Sequence, residues 1–573
     1  MAVYRSDQAQ LTFGVEAAPG GYPEIAITAA MSGSLTTTSA YSAGATALTL
    51  SGSPGTSYIG AVVCIGTASG TAATATPQEI RKVEHVIGTT IYLDAPLGFN
   101  HPTGSYVQLT GGNEITDGEN GTTSTGKFIT IVPGVYETID VPDPDMTIEA
   151  RYFLGTQSKR NFFAAYKGQQ SYTGSVPGFI LLDGRALRFP IGKVNSTANN
   201  LESGAITIAA PGVTKGDVFL TVAGAQKADA SVGDVLAIND AGAANSNGVI
   251  NKEIRKIKVK TGDVCQLDYP LQFSHAQGVS VAVVAGTVAN NGYYTHNITE
   301  TVDLDTVSWH LHMRDSAENA TNDFDRRYYG GMIGGASLSA DEGGMLTMSW
   351  DGVNFQGMVH NQRNGSSGGA SGAQVPFYTK MHKITNDGTS DIVFPTTEPY
   401  YFSEGSVTIF GQEIARVRSF NLSIANNEEP RYYIQRRYGR QRGPTEIREQ
   451  RREYSLAVTL ALPDSTGPTE ATTRLFNELL WEGDYGDGSG TGMQGFNITL
   501  RFDRGTNDSI VITIPDDGTA AKGGNQQGAF IRTAPHAITG DNPLQVDADV
   551  LFRNLKIDVT VPTHTTDPTY YYP

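Results

Sequence analysis

An internal repeat constrains the fold of this 573-residue chain more than any other feature. The segment Glu79–Val107 aligns without gaps to Glu253–Val281 at a constant offset of 174 residues, and 13 of the 29 aligned positions are identical. Upstream, "GATALTLSG" pairs with "GDVFLTVAG" after a small shift. Such self-similarity indicates one structural unit used twice, so the sequence predicts a duplicated module of roughly 80 to 90 residues.

Each copy of the module is predicted to be a small β-domain. Apolar residues recur with period 2, as in Ile91 and Leu93 or Leu220 and Val222, between turns that contain glycine. This alternation is typical of half-buried strands. "LDAPL" and "LDYPL" place proline where an edge strand or a turn begins. The expected fold of each copy is therefore a compact barrel or sandwich.

The two copies are separated in the chain. Residues 36–112 are the predicted first copy and residues 195–286 the predicted second copy, and the segment between them matches neither. An economical explanation is one scaffold with the same module inserted twice. The scaffold would then consist of residues 1–35, 113–194 and 287–573. Tandem independent domains are the alternative that linear order leaves open.

The scaffold is predicted to be mainly β with one helix. "EYSLAVTLALP" and "SIVITIP" show the alternation of strands. After Thr469, a plausible N-cap, Leu475, Phe476, Leu479 and Leu480 follow the spacing of an amphipathic helix. The predicted fold class is a mainly β barrel or sandwich scaffold, with one amphipathic helix and two inserted copies of a small β-domain.

Charge and cysteine content narrow the class of protein. The net charge of −17 argues against broad phosphate binding, which needs Lys and Arg. Cys64 and Cys265 are too few for a disulfide framework, so a reducing compartment is expected. The chain has no run of about 18 apolar residues, and its N-terminus lacks the apolar stretch of a secretory signal.

Candidate catalytic and metal motifs are weak. Residues 121–128, "GTTSTGKF", resemble a phosphate-binding loop but end in Phe where Mg²⁺ needs Ser or Thr. His310 and His312 would share one face of a strand, a spacing that can hold a metal, but packed imidazoles are the favoured alternative. Asp143 and Asp145 lack calcium-loop spacing and predict an acidic turn. We therefore expect no enzymatic activity, no cofactor and no metal.

Ionisable residues in the first copy look like an acid–base site. The second copy replaces His85 with Val259, which removes most of the support for catalysis. The residues kept by both copies are Glu79, Arg81, Lys82, Asp94 and His101 in the first, and Glu253, Arg255, Lys256, Asp268 and His275 in the second. Such groups can pair across a hairpin and fix its turns, so we predict a structural role. A shared ligand site is the alternative.

The strongest local charge feature is the segment Arg431–Glu453, in which eight Arg and three Glu give a charge of +5. Interleaved Arg and Tyr suit nucleic-acid binding, but they also suit docking on an acidic subunit. Because the rest of the chain is acidic, an identical copy is the favoured partner. The candidate subunit-contact residues are Arg436, Arg437, Arg440, Arg442 and Arg448.

Several scaffold stretches resemble the tail tube proteins of tailed bacterial and archaeal viruses. They are "MAVYRSDQAQLTFGVEAAPGGYPE", "VPGVYETIDVPDPD", "GSVPGFILLDGRALRFPIG" and "RRYYGGMIGGASLSADEGGMLTMSWDG". The last is similar to the family's strand–turn–strand region, in which a glycine-rich turn precedes a long paired strand.

The resemblance implies a structural virion protein with no catalytic residues. It implies that sheets curl into an inner barrel and that hexameric rings stack into a tube, with other tail proteins at its ends. Viral DNA would pass through the lumen without specific binding. The inserted copies would decorate the outer surface, where they could contact the host. The expected location is the virion tail, after assembly in the host cytoplasm.

Two other functions compete with this interpretation. The first is a carbohydrate-binding or depolymerising tail fibre or spike, although the chain lacks the extended repeats usual in fibres. The second is nucleic-acid binding, which depends on the Arg-rich segment and opposes the global charge.

Overall fold

The computed structural model describes the chain in segments. The described residues are 4–16, 35–55, 58–59, 62–66, 79–93, 95–109, 134–151, 164–199, 201, 206–244, 250–267, 270–284, 292–315, 324–360, 398–409, 412–413, 417–433, 443–461, 497–516, 529–533, 536–537 and 545–562. The predicted amphipathic helix at 469–481 lies outside them. Among the described residues, no helix has the length and apolar character needed to span a membrane.

Strands dominate the described residues. The strands up to residue 198 are β1 Tyr4–Val15, β2 Ala47–Thr49, β3 Val62–Gly66, β4 Glu79–Ile87, β5 Thr90–Leu93, β6 Tyr106–Leu109, β7 Val135–Tyr136, β8 Asp145–Arg151, β9 Ala164–Ser171, β10 Thr173–Ile180 and β11 Gly192–Ala198. Those up to residue 360 are β12 Ile206–Ile208, β13 Phe219–Ala223, β14 Val235–Ala244, β15 Ile250–Thr261, β16 Val264–Leu267, β17 Ser280–Val283, β18 Tyr293–Glu300, β19 Val307–Asp315, β20 Phe324–Asp341, β21 Thr347–Asn354 and β22 Gly357–His360. The last are β23 Gly405–Ile409, β24 Gln412–Glu413, β25 Val417–Ala425, β26 Glu429–Arg431, β27 Glu446–Arg448, β28 Glu453–Ala461, β29 Ile498–Asp503, β30 Ser509–Ile514, β31 Ala529–Thr533, β32 His536–Ala537, β33 Gln545–Phe552 and β34 Lys556–Pro562. The helical elements are the short helix α1 Arg188–Ile191 and 3-10 turns at Arg185–Leu187 and Phe402–Glu404.

Two sheets form the scaffold. Sheet A has twelve strands, with the main path β31–β33–β28–β25–β20–β21–β10–β7 and β1, β19, β22 and β32 joined to it. Sheet B has seven strands in the order β11–β18–β34–β30–β29–β23–β24. Alternation along β28 buries Tyr454, Leu456 and Val458 and leaves the residues between them more exposed. Each such strand therefore gives its sheet one apolar face.

The apolar faces of the two sheets share one core. Its centre is Trp350, which is fully buried and packs edge-on against Phe13 at 5.0 Å and Phe179 at 5.4 Å between ring centroids. Leu500 and Ile557 belong to the same core and come from sheet B. Edge-to-face aromatic pairs add to the free energy gained by burial alone. The prediction of a mainly β fold with a β-barrel is confirmed.

The second copy contains a closed six-stranded barrel in the order β12–β13–β16–β15–β14–β17. Its interior is filled by side chains such as Leu220, Leu236 and Val281. The first copy has a five-stranded sheet in the order β2–β5–β4–β3–β6, which matches the barrel strand by strand without β12. Bridges from Thr36 to Tyr106 and from Thr37 to Leu50 take the place of β12. The two copies thus have the same topology.

The second copy is attached to the edge of sheet B. Its chain leaves after β11 and returns at β18, and these two strands are paired neighbours. The backbone N–H of Lys252 donates to Oδ1 of Asn195 in β11, 3.1 Å away. The first copy packs on the second: a Cβ on Gly216, whose φ is +89°, would lie 2.4 Å from Cε1 of Phe99. Glycine at this position therefore permits the two copies to meet.

Candidate functional site

One face of sheet A carries rows of small polar side chains. In the first row, Ser337 of β20 lies opposite Ser349 of β21 and Ser423 of β25, and Ser423 lies opposite Ser455 of β28. The hydroxyl oxygens of Ser337 and Ser349 are 2.6 Å apart, within hydrogen-bond distance. Four serines thus line up across four strands.

Two further rows extend this surface, which we call the polar face. Their members lie opposite one another in the strand register. The rows are Thr347, Ser339, Asn421, Ala457 and Asp549, and Asp341, Ser419, Thr459 and Asp547. The Thr459 hydroxyl donates to Oδ1 of Asp547 at 2.9 Å, which ties β28 to β33. The side chains in these rows are short, and most of them are polar.

The core of the molecule fixes which residues reach the polar face. Alternating with Ser337 and Ser339 is Leu338, which lies opposite Met348 and Leu422, and all three are buried. Because successive side chains point to opposite faces of a sheet, burying one set forces the other outward. A slip of one residue would put the serines into the core.

The polar face is acidic. The strand segments that form it are 334–341, 347–354, 417–425, 453–461 and 545–552, and they contain five acidic residues and one basic residue. The basic residue, Arg418, pairs with Glu342 at 3.1 Å. At the margins, Arg451 pairs with Glu453 and Arg532 pairs with Asp549. Such a surface repels polyanions, because phosphate binding requires cationic side chains.

The ionisable residues kept by both copies form a buried cluster. In the second copy, Glu253 Oε1 is 2.6 Å from His275 Nε2, and Oε2 is 2.8 Å from Arg255 Nη2. The backbone N–H of Gln272 donates to Glu253 at 2.9 Å, and Arg255 donates to the carbonyl oxygen of Pro270. The cluster therefore holds the loop after β16 against β15.

The first copy builds the same cluster. Glu79 Oε1 is 2.5 Å from His101 Nε2, and Oε2 is 2.6 Å from Arg81 Nη2. The backbone N–H of Gly98 donates to Glu79 at 2.9 Å. The side chains of Glu79 and Arg81 are fully buried, so neither is open to a ligand. The contacts agree with the predicted structural role, although Asp94 and Asp268 lie outside the described residues.

Both glutamates are ionised in this setting. Burial alone would raise the pKa of Glu253, but the charge of Arg255 and the hydrogen bond from His275 outweigh it and hold the pKa below its usual value. The pKa of Glu79 is lowered against burial in the same way by Arg81 and His101. One difference is that His275 Nδ1 also lies 3.6 Å from Asp240.

The Arg-rich segment begins and ends in a short hairpin. Strands β26 and β27 pair with each other, and Arg448 at the end of β27 is exposed and pairs with Glu446 at 3.0 Å. The hydroxyl of Tyr432 donates to the backbone oxygen of Gln170 in β9 at 3.1 Å. The other four candidate subunit-contact residues lie outside the described residues; they are Arg436, Arg437, Arg440 and Arg442.

The strands β8 and β9 form a two-stranded ribbon that sequence reasoning missed. They pair only with each other among the described strands. Ile148 is 65% exposed and Tyr166 is 59% exposed. Ile148 lies opposite Lys167 and Tyr166 lies opposite Glu149, so the two apolar side chains are on opposite faces of the ribbon. A two-stranded hairpin is marginally stable in water by itself. The alternation in "MTIEAR" indicates a strand, but it does not show whether another layer of the protein packs on that strand.

The remaining sequence motifs form no metal site among the described residues. His310 is buried in β19. Within the described segments, no group of three or more His, Cys, Asp or Glu side chains could hold a metal ion. Asp143 pairs with Arg326, and Asp145 begins β8. The loop at 121–128 lies outside the described residues.

Comparison with known proteins assigns the chain to a protein family. A search of curated proteins finds no match. A family model described as "Phage tail tube protein" matches residues 5–553, a range that includes both copies and every strand of the two scaffold sheets except β34 and the first residue of β1. Because this match extends over nearly the whole sequence, the chain belongs to the phage tail tube protein family.

Proposed function

We propose that this chain is the subunit of stacked hexameric rings that form the tail tube, and that the polar face lines the lumen through which viral DNA is delivered. The observation that carries the proposal is the alignment of serine, threonine and aspartate across β21, β20, β25, β28 and β33. Assembly would take place in the host cytoplasm, and other tail proteins would bind the tube ends.

The chemistry of the polar face suits passage of DNA without specific binding. DNA is held mainly through its phosphates, which need Lys and Arg. Within the five strand segments of the polar face, Arg418 is the single basic residue, and Glu342 neutralises it; at the margins, Arg451 and Arg532 are paired with Glu453 and Asp549. Short hydroxyl side chains offer no stacking platform for bases. The polar face would therefore guide DNA by weak repulsion, and the subunit acts as a structural protein, not an enzyme.

The position of the second copy supports an outward placement. The copy is attached at β11 on the edge of sheet B. Sheet B packs on the apolar side of sheet A, so the core separates it from the polar face. If the polar face lines the lumen, both copies decorate the outside of the tube. Contact with the host surface would then be open to them.

The exposed ribbon gives the first test of assembly. We expect the purified chain to form hollow tubes or six-fold rings in negative-stain electron microscopy, and the double variant Ile148→Asp, Tyr166→Ser to remain unassembled. Burial of these side chains by a neighbouring copy would offset the entropy of association, and a charge would prevent it. Val232→Asp is the matched control, because Val232 is 60% exposed but lies in the second copy.

Each outcome of that experiment is informative. Persistent monomers or stable trimeric spikes of the unmodified chain would contradict a tail tube subunit and favour a fibre or spike. Tubes from the double variant would exclude the ribbon from the subunit interface. A Val232→Asp variant that fails to assemble would show that the outer copies take part in ring contacts.

The Arg-rich segment gives a second test. Replacing Arg436, Arg437, Arg440 and Arg442 with Glu should abolish tube formation and leave the monomer folded, since the segment would then repel the acidic neighbour it is proposed to contact. Circular dichroism measures the fold, and sedimentation measures assembly. Replacing the same four arginines with Lys keeps the positive charge but loses bidentate pairing with carboxylates, so partial assembly is expected. Normal tubes from the Glu variant would refute the proposed role of these arginines.

A further inference from the structure

The serine row of the polar face changes character at one edge of sheet A. After Ser455 of β28 the row continues to Leu551 of β33, which lies opposite Ser455, and then to Phe530 of β31, which lies opposite Leu551. Leu551 is 48% exposed, and Phe530 is half-buried. We call the pair Phe530 and Leu551 the β31 rim. The polar face therefore ends at this edge in two apolar side chains.

The opposite edge of sheet A changes in the same way. Thr347 of the second polar row lies opposite Ile180 of β10, and Ile180 lies opposite Val135 of β7. Val135 is 43% exposed, and Ile180 is half-buried. We call the pair Val135 and Ile180 the β7 rim. Because Phe179 is buried in the core, alternation along β10 puts this rim on the same side of the sheet as the polar face.

Both rims belong to strands at the ends of the sheet. The strands β31 and β7 end the main path of sheet A, and among the described strands β31 pairs with β33 and β7 pairs with β10. An edge strand offers backbone groups on its outer side to another chain, and charged side chains commonly protect it. Apolar side chains beside such an edge favour association instead.

The charged residues that follow the rims in the chain have opposite signs. Arg532 comes two residues after Phe530, and its side chain is 64% exposed although it pairs with Asp549. Glu137 comes two residues after Val135 and is exposed. A guanidinium has several N–H donors, so Arg532 can pair with a second carboxylate. The two rims are therefore both apolar and complementary in charge.

We propose that the β31 rim of one subunit packs against the β7 rim of the next subunit. This seam would remove the apolar side chains of both rims from water and bring Arg532 close to Glu137 of the neighbouring subunit. The seam joins two different surfaces, and a contact of that kind gives a ring when its rotation closes. The inference rests on the proposed tube, because it requires the polar faces of neighbouring subunits to lie side by side.

Cysteine trapping in assembled tubes tests the seam. The double variant Val135→Cys, Leu551→Cys should assemble, and oxidation should then link each subunit to the next and give a ladder of covalent oligomers on a non-reducing denaturing gel. Either single variant should give no ladder, because the seam does not bring identical residues together. The native thiols should give little background, because Cys64 and Cys265 are buried.

The matched control is Val232→Cys, Leu551→Cys, because Val232 is 60% exposed but lies in the second copy. A ladder from this control would show unspecific trapping and overturn the assignment. If Val135→Cys, Leu551→Cys formed tubes but gave no ladder with oxidant or with a short bismaleimide, the seam would be wrong and the proposed tube would stand. If the unmodified chain formed neither tubes nor rings, the proposed function would fail, and the seam with it.

A charge reversal tests the seam without cysteine. Arg532→Glu should raise the concentration needed for tube formation several-fold, because two carboxylates would then face each other across the seam. Adding Glu137→Arg to the same chain should restore assembly, since the pair forms again with its signs exchanged. If the double reversal assembled no better than Arg532→Glu, the two rims would not be in contact. This comparison decides the question if the cysteine variant does not assemble.

Discussion

Replacing Glu253 with Gln should destabilise the barrel of the second copy by about 3–5 kcal/mol, the usual cost of removing one partner from a buried ion pair. The change leaves the guanidinium of Arg255, which is fully buried, without its counter-charge. It also removes the charged acceptor beside His275 Nε2. Hydrogen exchange of the peptides that contain β15 and β16, followed by mass spectrometry, measures the loss locally. We expect fast exchange there and little change in sheet A.

Low pH should reproduce part of the destabilisation expected for Glu253→Gln. The pKa of Glu253 is lower in the folded chain than in the unfolded chain, so its ionisation stabilises the fold above the unfolded pKa, near 4.5. That contribution is lost as the pH falls through the folded value. Glu79 follows the same rule in the first copy. Both copies should therefore unfold more easily below about pH 4, and Glu253→Gln should make the second copy less sensitive to acid.

Two control variants test whether burial of the ion pair explains the destabilisation expected for Glu253→Gln. Glu342→Gln removes an exposed ion pair with Arg418, and its cost should stay below about 1 kcal/mol. Glu79→Gln is the equivalent change in the first copy and should destabilise that copy by an amount similar to Glu253→Gln. If Glu253→Gln exchanged no faster than Glu342→Gln, the buried cluster would not be what holds the loop after β16.

The repeat predicted much of what the structure shows for the two copies. Positions that are identical in both have the same physical role: Gly88 and Gly262 turn the chain between paired strands with φ of +60° and +62°, a region that glycine enters without strain. Glu79 and Glu253 hold equivalent loops. Replacement of His85 by Val259 argued against catalysis at that residue, because an internal repeat supplies its own comparison; this stays a prediction.

The polar face could not be predicted from the sequence. The period-2 pattern of "ASLSAD" and "FNLSIA" shows that serines leave the core, but not that Ser337 lies opposite Ser423. That alignment depends on the register between strands that are far apart in the chain. The ribbon of β8 and β9 was missed for a related reason, because a pattern reports alternation and not the absence of a covering layer.

Placing positive charge on the polar face should block DNA delivery without blocking assembly. The double variant Ser337→Lys, Ser423→Arg puts two cations on neighbouring strands of each subunit, and in a hexameric ring they would form a belt around the lumen. Each cation can hold a phosphate, and retention rises steeply with the number of contacts. We expect tubes of normal length and a loss of infectivity on the order of a hundredfold, measured as plaque titre from phage that carry the variant.

Control variants show whether positive charge in the lumen causes the loss of infectivity. Ser423→Gln adds bulk to the polar face without charge, and its titre should stay near normal. Thr499→Lys adds one positive charge to β29 of sheet B, between the buried Ile498 and Leu500, so its side chain lies on the face away from the core. If Thr499→Lys reduced the titre as much as the double variant, general loss of stability would explain both. If the double variant delivered DNA normally from intact tubes, a different surface would line the lumen, because a belt of cations cannot leave the passage of a polyanion unchanged.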